Sequence, residues 1–272
     1  MDYTINVKGR LLDFSEPRVM GILNVTPDSF FADSRRQTER EIAERAQQIM
    51  AEGATMIDIG GCSTRPGAEP TTVAEEMERL RFGLAVVRRE LPAAVLSVDT
   101  FRPDVARMAV EEFGADIIND VGVPAGRGAS LRQDMFRMVS RLRVPYVLTS
   151  AKPTLRDMLL GFAEEVQLLR DLGQKDILLD PGFGFGKTLE QNFEVMRHLE
   201  QLQVMALPVL VGVSRKSMIF KTLATTPDDA LNGTTVLNAV ALQKGAAILR
   251  VHDVKEAMEC IKLTKLCSLN SD

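Results

Sequence analysis

Residues 19–25 read VMGILNV, with six apolar or glycine positions in seven and one polar residue, Asn24, close to the end. Unbroken apolar character, in place of polar alternation, marks a strand buried on both faces, as in a parallel sheet. The same design recurs in TMIDIGG (55–61), AVLSVDT (94–100), DIINDV (116–121) and PYVLTS (145–150). It returns three more times, as DILLDPG (176–182), PVLVGVS (208–214) and AILRVHD (247–253). Each run is short, β-branched or aliphatic, and closes on a polar residue.

Helical patterns fill the intervals. In TEREIAERAQQIMAEG, Ile42, Ala46 and Ile49 share a face, Thr38 and Glu41 have the spacing of a capping box, and Gly53 supplies the stop. Comparable patterns occupy 72–90, 103–113, 131–142, 155–172, 189–204, 228–244 and 254–266. Eight strand-helix units repeating at roughly 30 residues predict a (β/α)8 TIM barrel, whose usual size is about 250 residues. An open doubly wound sheet is the competing arrangement, but it seldom carries eight uninterrupted parallel strands. With no linker in the pattern, residues 1–272 read as one domain. Residues 1–18 are predicted to be a short hairpin turning at Lys8-Gly9 and covering the barrel floor.

Composition narrows the function. The 272 residues are 45% hydrophobic and 26% charged, enough for one large core. A net charge of -4 with scattered basic residues leaves no footprint for nucleic acid. Neither a signal-like apolar run at the start nor an uncharged apolar stretch of 18 residues or more is present, so a cytoplasmic protein without membrane contact is expected. Three cysteines, Cys62, Cys260 and Cys267, lack metal-ligand spacing, and two histidines cannot make a three-histidine zinc site.

In a barrel of this kind the active site lies at the carboxyl ends of the strands. There the chain offers Asn24, Asp58, Asp99, Asn119 with Asp120, Thr149 with Ser150, Asp180, Ser214-Arg215-Lys216, and Arg250 with His252. Any one of these could simply cap the following helix; polar residues on so many strand ends predict a converging site. Carboxylates and amides suit a planar heterocycle, because ionised Asp accepts from amino and ring N–H groups and Asn both donates and accepts. Arg250 and His252 stand where barrels commonly bind phosphate. His252 as a helix cap is the plainer alternative, and His198, within EVMRHLEQL, reads as a surface or packing residue. The glycine-rich LDPGFGFGKT (179–188) looks like a phosphate loop, but Pro181 occupies the first glycine of a GxxxxGK frame. Asp180 is therefore its more informative residue, with Lys187 and Thr188 opening the next helix.

MGILNVTPDSF, the IDIGG and STRPGAE segments, SVDT, ADIINDV, LDPGFGFGKTLEQNFEVM, LVGVSRKSMI and RVHDVKEA together resemble the dihydropteroate synthase family from about Val19 to Ala257. The resemblance implies joining of a hydroxymethyl-dihydropterin pyrophosphate to p-aminobenzoate, with Mg2+ and loss of pyrophosphate. By matching motif it makes Asp99, Asn119, Asp180 and Lys216 pterin-binding residues. It gives Asn24 to the metal and pyrophosphate, and Arg250 and His252 to pyrophosphate oxygens. Thr64, Arg65 and Pro66, with Phe185 and Ser217, would enclose p-aminobenzoate. Asp99, Asp180, Lys216, Arg250 and His252 would carry the chemistry, while Asp58 would lie below the loops in a supporting role. The DSFFADSRRQ loop would act as a lid with Asp33 and Ser34 as contacts. A homodimer through the late helices and competition by sulfonamides are further implications.

Three departures accompany the resemblance. Cys62 stands where the family usually has Glu, FADSRR replaces an Asp-Gly-Gly stretch, and Thr149-Ser150 replaces a Met-His pair. A methyltetrahydrofolate methyltransferase shares some strand-end Asp and Asn residues, but has no pyrophosphate to hold; SRKS, RVH and STRPG argue against it. A pterin-binding relative without synthase activity is the reading from another class, since function resides in the site and not the fold.

Overall fold

The computed structural model describes residues 3–26, 35–62, 71–122 and 129–268. Its eight long-range strands are β3 (Arg18–Asn24), β4 (Met56–Gly60), β5 (Val95–Asp99), β6 (Ile117–Asp120), β7 (Tyr146–Thr149), β8 (Ile177–Asp180), β9 (Leu210–Val211) and β10 (Ile248–Val251). All pair in parallel, in the order β8-β7-β6-β5-β4-β3-β10-β9. A parallel bridge between Leu179 and Val209 joins the two ends, so the expected barrel is what forms. The seventh predicted strand is the weakest, with a ladder reduced to two residues ahead of Gly212.

The first two strands, β1 (Thr4–Val7) and β2 (Arg10–Asp13), form the antiparallel hairpin. Lys8 and Gly9 both adopt positive φ, 50° and 84°, which the tight turn demands. Ile5, Val7 and Phe14 pack on Met20, Met56, Val95, Ile117, Val147, Leu178, Leu210 and Ile248, one residue from every barrel strand. The floor is thus plugged with hydrocarbon. Lys8 anchors the plug at its tip, pairing with Asp116 at 2.8 Å and donating to the Gly114 carbonyl.

The helices are α1 (Arg35–Ala51), α2 (Val73–Glu90), α3 (Pro103–Phe113), α4 (Ala129–Leu142), α5 (Leu155–Asp171), α6 (Leu189–Arg197), α7 (Ser217–Phe220), α8 (Leu231–Gln243) and α9 (Val254–Ser268). Ile42, Ala46 and Ile49 are fully buried, as their spacing predicts, and Gly53 ends the first turn-out with φ 101°. The start differs. The helix is already formed at Arg35, so Thr38 lies inside it and is no N-cap. Reciprocal capping boxes occur instead at Thr72/Glu75 and Thr188/Gln191. The predicted 189–204 helix breaks at His198 into α6 and a 3-10 stretch, Leu199–Met205. The short α7 was not legible from periodicity, because four residues contain barely one turn.

Candidate active site

Strand alternation sorts side chains into an outer set against the helices and an inner set within the barrel. Two positions beyond the apolar floor, six of the eight strands turn polar on the inner wall: Asp58, Ser97, Asn119, Thr149, Asp180 and Arg250. Asp58 is the hub. It accepts from Ser97 Oγ at 2.6 Å, Asn119 Nδ2 at 2.9 Å and Arg250 Nε at 2.6 Å. It is fully buried.

Arg250 bridges two carboxylates, reaching Asp99 through its second donor at 2.7 Å. Its guanidinium therefore points inward, and not to the rim where a phosphate group was expected. Burial pushes the Asp99 carboxyl up to about 7, against the opposing pull of Arg250, with Asp58 adding repulsion. Gly60 sits beside it for want of space. A Cβ there would stand 3.3 Å from Asn24 Oδ1 and 3.5 Å from Asp99 Cβ, so its bareness lets these two strand-end residues approach.

Across the barrel, Asp180 is 4% exposed and its carboxyl is raised by burial, partly offset by Lys216. Its Oδ1 accepts from the Gly182 amide at 2.7 Å. Gly182, at φ 66°, passes so close to β7 that a Cβ would lie 2.2 Å from the Ser150 carbonyl oxygen. Only glycine fits this turn. Lys216 donates to the Phe183 carbonyl and lies 4.7 Å above the Phe185 ring, a cation–π contact. Burial lowers the ammonium to about 8, although Asp180 opposes the shift. Ser217 follows directly as the first residue of α7, so Phe185, Lys216 and Ser217 form one corner of the mouth.

His252 and Ser214 meet at the rim, with Oγ and Nδ1 3.0 Å apart and the His252 amide donating to the same oxygen at 3.2 Å. When the hydroxyl donates to Nδ1, the ring proton rests on Nε2, the atom suited to an anion. Arg45 of α1 holds the His252 carbonyl from outside.

Some expected contributors are turned elsewhere. Asp120 faces the outer side of β6, where it accepts from the Tyr146 hydroxyl and the Gly122 amide and lies 3.8 Å from Arg132. Consecutive strand residues cannot both point inward, so Asn119 alone reaches the site. Arg215, at φ 53°, turns away to a bidentate pair with Asp253 at 2.9 Å and to the Pro227 and Asp228 carbonyls. His198 is a surface residue 3.3 Å from Glu194, as expected. Thr64, Arg65 and Pro66 lie outside the described residues, as do Asp33 and Ser34.

Two features were missed. Lys187 does not merely open a helix: its Nζ folds back on the Ser150, Gly182 and Phe185 carbonyls at 3.0, 3.1 and 3.3 Å, and burial lowers it to about 8. The lysine of the glycine loop thus ties the loop to itself and to β7. The other is a buried pair, in which Glu76 accepts from Arg102 at 2.6 Å and Thr100 at 2.7 Å while Arg102 holds the Thr71 carbonyl. Cys62, half-buried, has its thiol pushed up by burial and hydrogen-bonds to Thr71. The period of α2 shows that Glu76 is buried only once its neighbours Leu80 and Gly83 are placed on the same face.

Among the described residues, four buried side-chain polar atoms have no hydrogen-bond partner: Asn119 Oδ1, Ser140 Oγ, Thr149 Oγ1 and Asn238 Oδ1. Two of the four lie on the inner wall. Such atoms are rare in folded proteins and point to something that binds there. An inner wall of buried carboxylates, an open amide and two cations in a (β/α)8 barrel suits a small polar heterocycle with an anionic end.

Known proteins agree. The family described as pterin binding enzyme matches residues 20–252. Dihydropteroate synthase of Escherichia coli (strain K12) is 35% identical over 267 residues, covering 95% of this chain and 94% of the relative. The solved Xanthomonas albilineans dihydropteroate synthase with 4-aminobenzoic acid superimposes with a TM-score of 0.89 at 34% identity, covering 99% of this chain and 100% of that one. The Yersinia pestis enzyme with a sulfonamide drug gives 0.84 at 33% identity, with 97% and 99% covered. The chain belongs to the pterin-binding enzymes and, within them, to the dihydropteroate synthase family.

Proposed function

We propose that this barrel condenses 6-hydroxymethyl-7,8-dihydropterin pyrophosphate with p-aminobenzoate, releasing pyrophosphate, as a step in folate synthesis. The observation that carries the reading is the wall formed by Asp180, Lys216, Asp99 and the open Asn119 amide, which matches a flat ring bearing both N–H donors and acceptors. Asp180 and Asp99 favour positive charge developing on the ring as the carbon–oxygen bond to pyrophosphate breaks. His252 and Arg250 stand by the departing anion, near the N-terminus of α9. Reaching an anion would require Arg250 to exchange part of its pairing with Asp99 and Asp58 for phosphate oxygens.

The arylamine would then attack with its own lone pair, against the corner made by Phe185, Lys216 and Ser217, with Thr64, Arg65 and Pro66 as the further contacts that the family resemblance implies. No activated Ser or Cys nucleophile is needed, and the raised Cys62 thiol is poorly suited to be one. Sulfonamides, as arylamine mimics, would compete at the same corner.

Mg2+ is expected with the pyrophosphate. Among the described residues no cluster of three or more His, Cys, Asp or Glu could hold a metal ion. Asn24 supplies a single amide oxygen at the end of β3, which fits an ion that keeps waters and leans on substrate phosphates. When bound, it would neutralise charge on the leaving group. The reading extends to a homodimer: Val236 of α8 and Leu263 and Leu266 of α9 are 55%, 63% and 60% exposed, an apolar surface on the late helices. No helix among the described residues is long and apolar enough to cross a membrane, which supports a cytoplasmic setting.

The direct test is incubation of purified protein with both substrates and Mg2+. Pyrophosphate and dihydropteroate should appear together; tight pterin binding without pyrophosphate release would leave a binding protein in place of a synthase.

A further inference from the structure

We propose that Thr149 is an additional recognition residue for the heterocycle, donating a hydrogen bond to a ring acceptor on the same edge that presents N–H groups to Asp180. The inference rests on the pterin reading above and deepens it at a position where the family resemblance would have placed methionine.

Three observations carry it. Thr149 shares the inner face of β7 with Val147, which belongs to the apolar floor, so its side chain lies within the barrel. It stands in register with Asp180 on the neighbouring strand. It is 1% exposed, yet its Oγ1 has no partner. A buried hydroxyl without a partner destabilises the fold, and replacing it with a methyl group of the same shape is the simple remedy. Retaining the hydroxyl makes sense if a ligand completes it.

The surroundings fix its geometry. The Thr149 methyl is directed toward Gly182, where an added Cβ would approach it to 3.0 Å, which sets the hydroxyl in a different direction. The Thr149 carbonyl is held from outside the barrel by Arg132 at 2.8 Å, so the strand cannot readily rotate. Asp180, when ionised, only accepts, and the orphan Asn119 Oδ1 also only accepts. Thr149 adds a neutral hydroxyl donor from β7, beside the ammonium donor of Lys216. Methionine at the same place would offer a thioether, which cannot donate.

The experiment compares Thr149→Val, Thr149→Ser and Asp180→Asn in the full-length protein. Calorimetric titration with 6-hydroxymethylpterin, which carries no phosphate, reads the affinity; thermal melting without ligand reads stability; steady-state kinetics separate KM from kcat. Thr149→Val should melt at or above the parent temperature while binding the pterin roughly five- to thirtyfold more weakly, the loss expected for one hydrogen bond. KM for the pterin pyrophosphate should rise with kcat little changed, and Thr149→Ser should bind within about threefold of the parent. Parent-like binding by Thr149→Val, alongside weakened binding by Asp180→Asn, would overturn the role of Thr149 and leave the pterin reading intact. Parent-like binding by both would overturn the pterin reading itself. A lowered melting temperature together with weak binding in Thr149→Ser would make the residue structural and overturn the inference.

Discussion

Asn119 and Asp120 are neighbours on one strand, and they belong to opposite kinds of polar cluster. Inside the barrel, Asn119 joins Asp58, Asp99 and Arg250 with its carbonyl oxygen still open. Outside it, Asp120 is enclosed by Tyr146, the Gly122 amide and Arg132, and Arg132 is forked onto Glu165 at 2.8 and 3.0 Å. The outer cluster is complete as the protein folds. The inner cluster is left partly unsatisfied; burial draws its Asp99 carboxyl and Lys216 ammonium toward neutrality, as it also raises the Asp120 carboxyl of the outer cluster. Buried charge alone does not mark the site; the unpaired Asn119 and Thr149 set the inner wall apart from the outer cluster, although unpaired atoms also occur on helices at Ser140 and Asn238.

The largest expected effect separates the two clusters by stability. Arg132→Met strips the partner from a buried carboxylate and should cost on the order of 3 to 5 kcal/mol, read as a lowered urea midpoint. A loss below about 1 kcal/mol would show the outer cluster to be as tolerant as a surface pair. Asp180→Asn should do the opposite. It should weaken binding of the phosphate-free pterin by about 1.5 to 3 kcal/mol while leaving the midpoint unchanged or raised, since it removes a charge whose burial already opposes ionisation.

The pH dependence should distinguish the clusters next. Pterin binding that needs ionised Asp99 and protonated Lys216 should peak between about 7 and 8 and fall on both sides. Asp99→Asn should flatten the acidic limb, and a limb that persists would assign it elsewhere. In the ligand-free protein, the folded state binds a proton at Asp99 below about 7 that the unfolded chain binds only near 3.8. Its contribution to stability therefore falls as pH rises across that window. The smallest effect concerns the rim: His252→Ala should weaken the pterin pyrophosphate by roughly tenfold and the phosphate-free pterin hardly at all, the difference being one charged hydrogen bond. Equal losses for both ligands would make His252 structural.

Much of this was legible before any coordinates. Eight apolar runs and the intervening helical periods specify the barrel because parallel strands buried on both faces leave no polar alternation. Asn24, Asp99, Asn119, Asp180, Lys216 and His252 all sit at the carboxyl ends, where their places in those runs put them. Direction was harder to read. Asp120 and Asn119 look equivalent in DIINDV until the inner and outer parity of β6 is known. Arg215 and Lys216 look like one basic cluster, yet the left-handed turn at Arg215 sends their side chains to opposite neighbours. Lys187 was unreadable because its partners are main-chain carbonyls, which carry no mark in a sequence.

The hairpin at the floor has a kinetic consequence. With Ile5, Val7 and Phe14 wedged into the lower end, the barrel is a cul-de-sac and both reactants must use one doorway. In the proposed placement the pterin lies at the bottom, against Asp180, and the arylamine nearer the rim, beside Phe185 and Ser217. A deep guest cannot overtake a shallow one, so that placement predicts a queue: the pterin pyrophosphate enters first, and the finished pteroate leaves before the next pterin can enter.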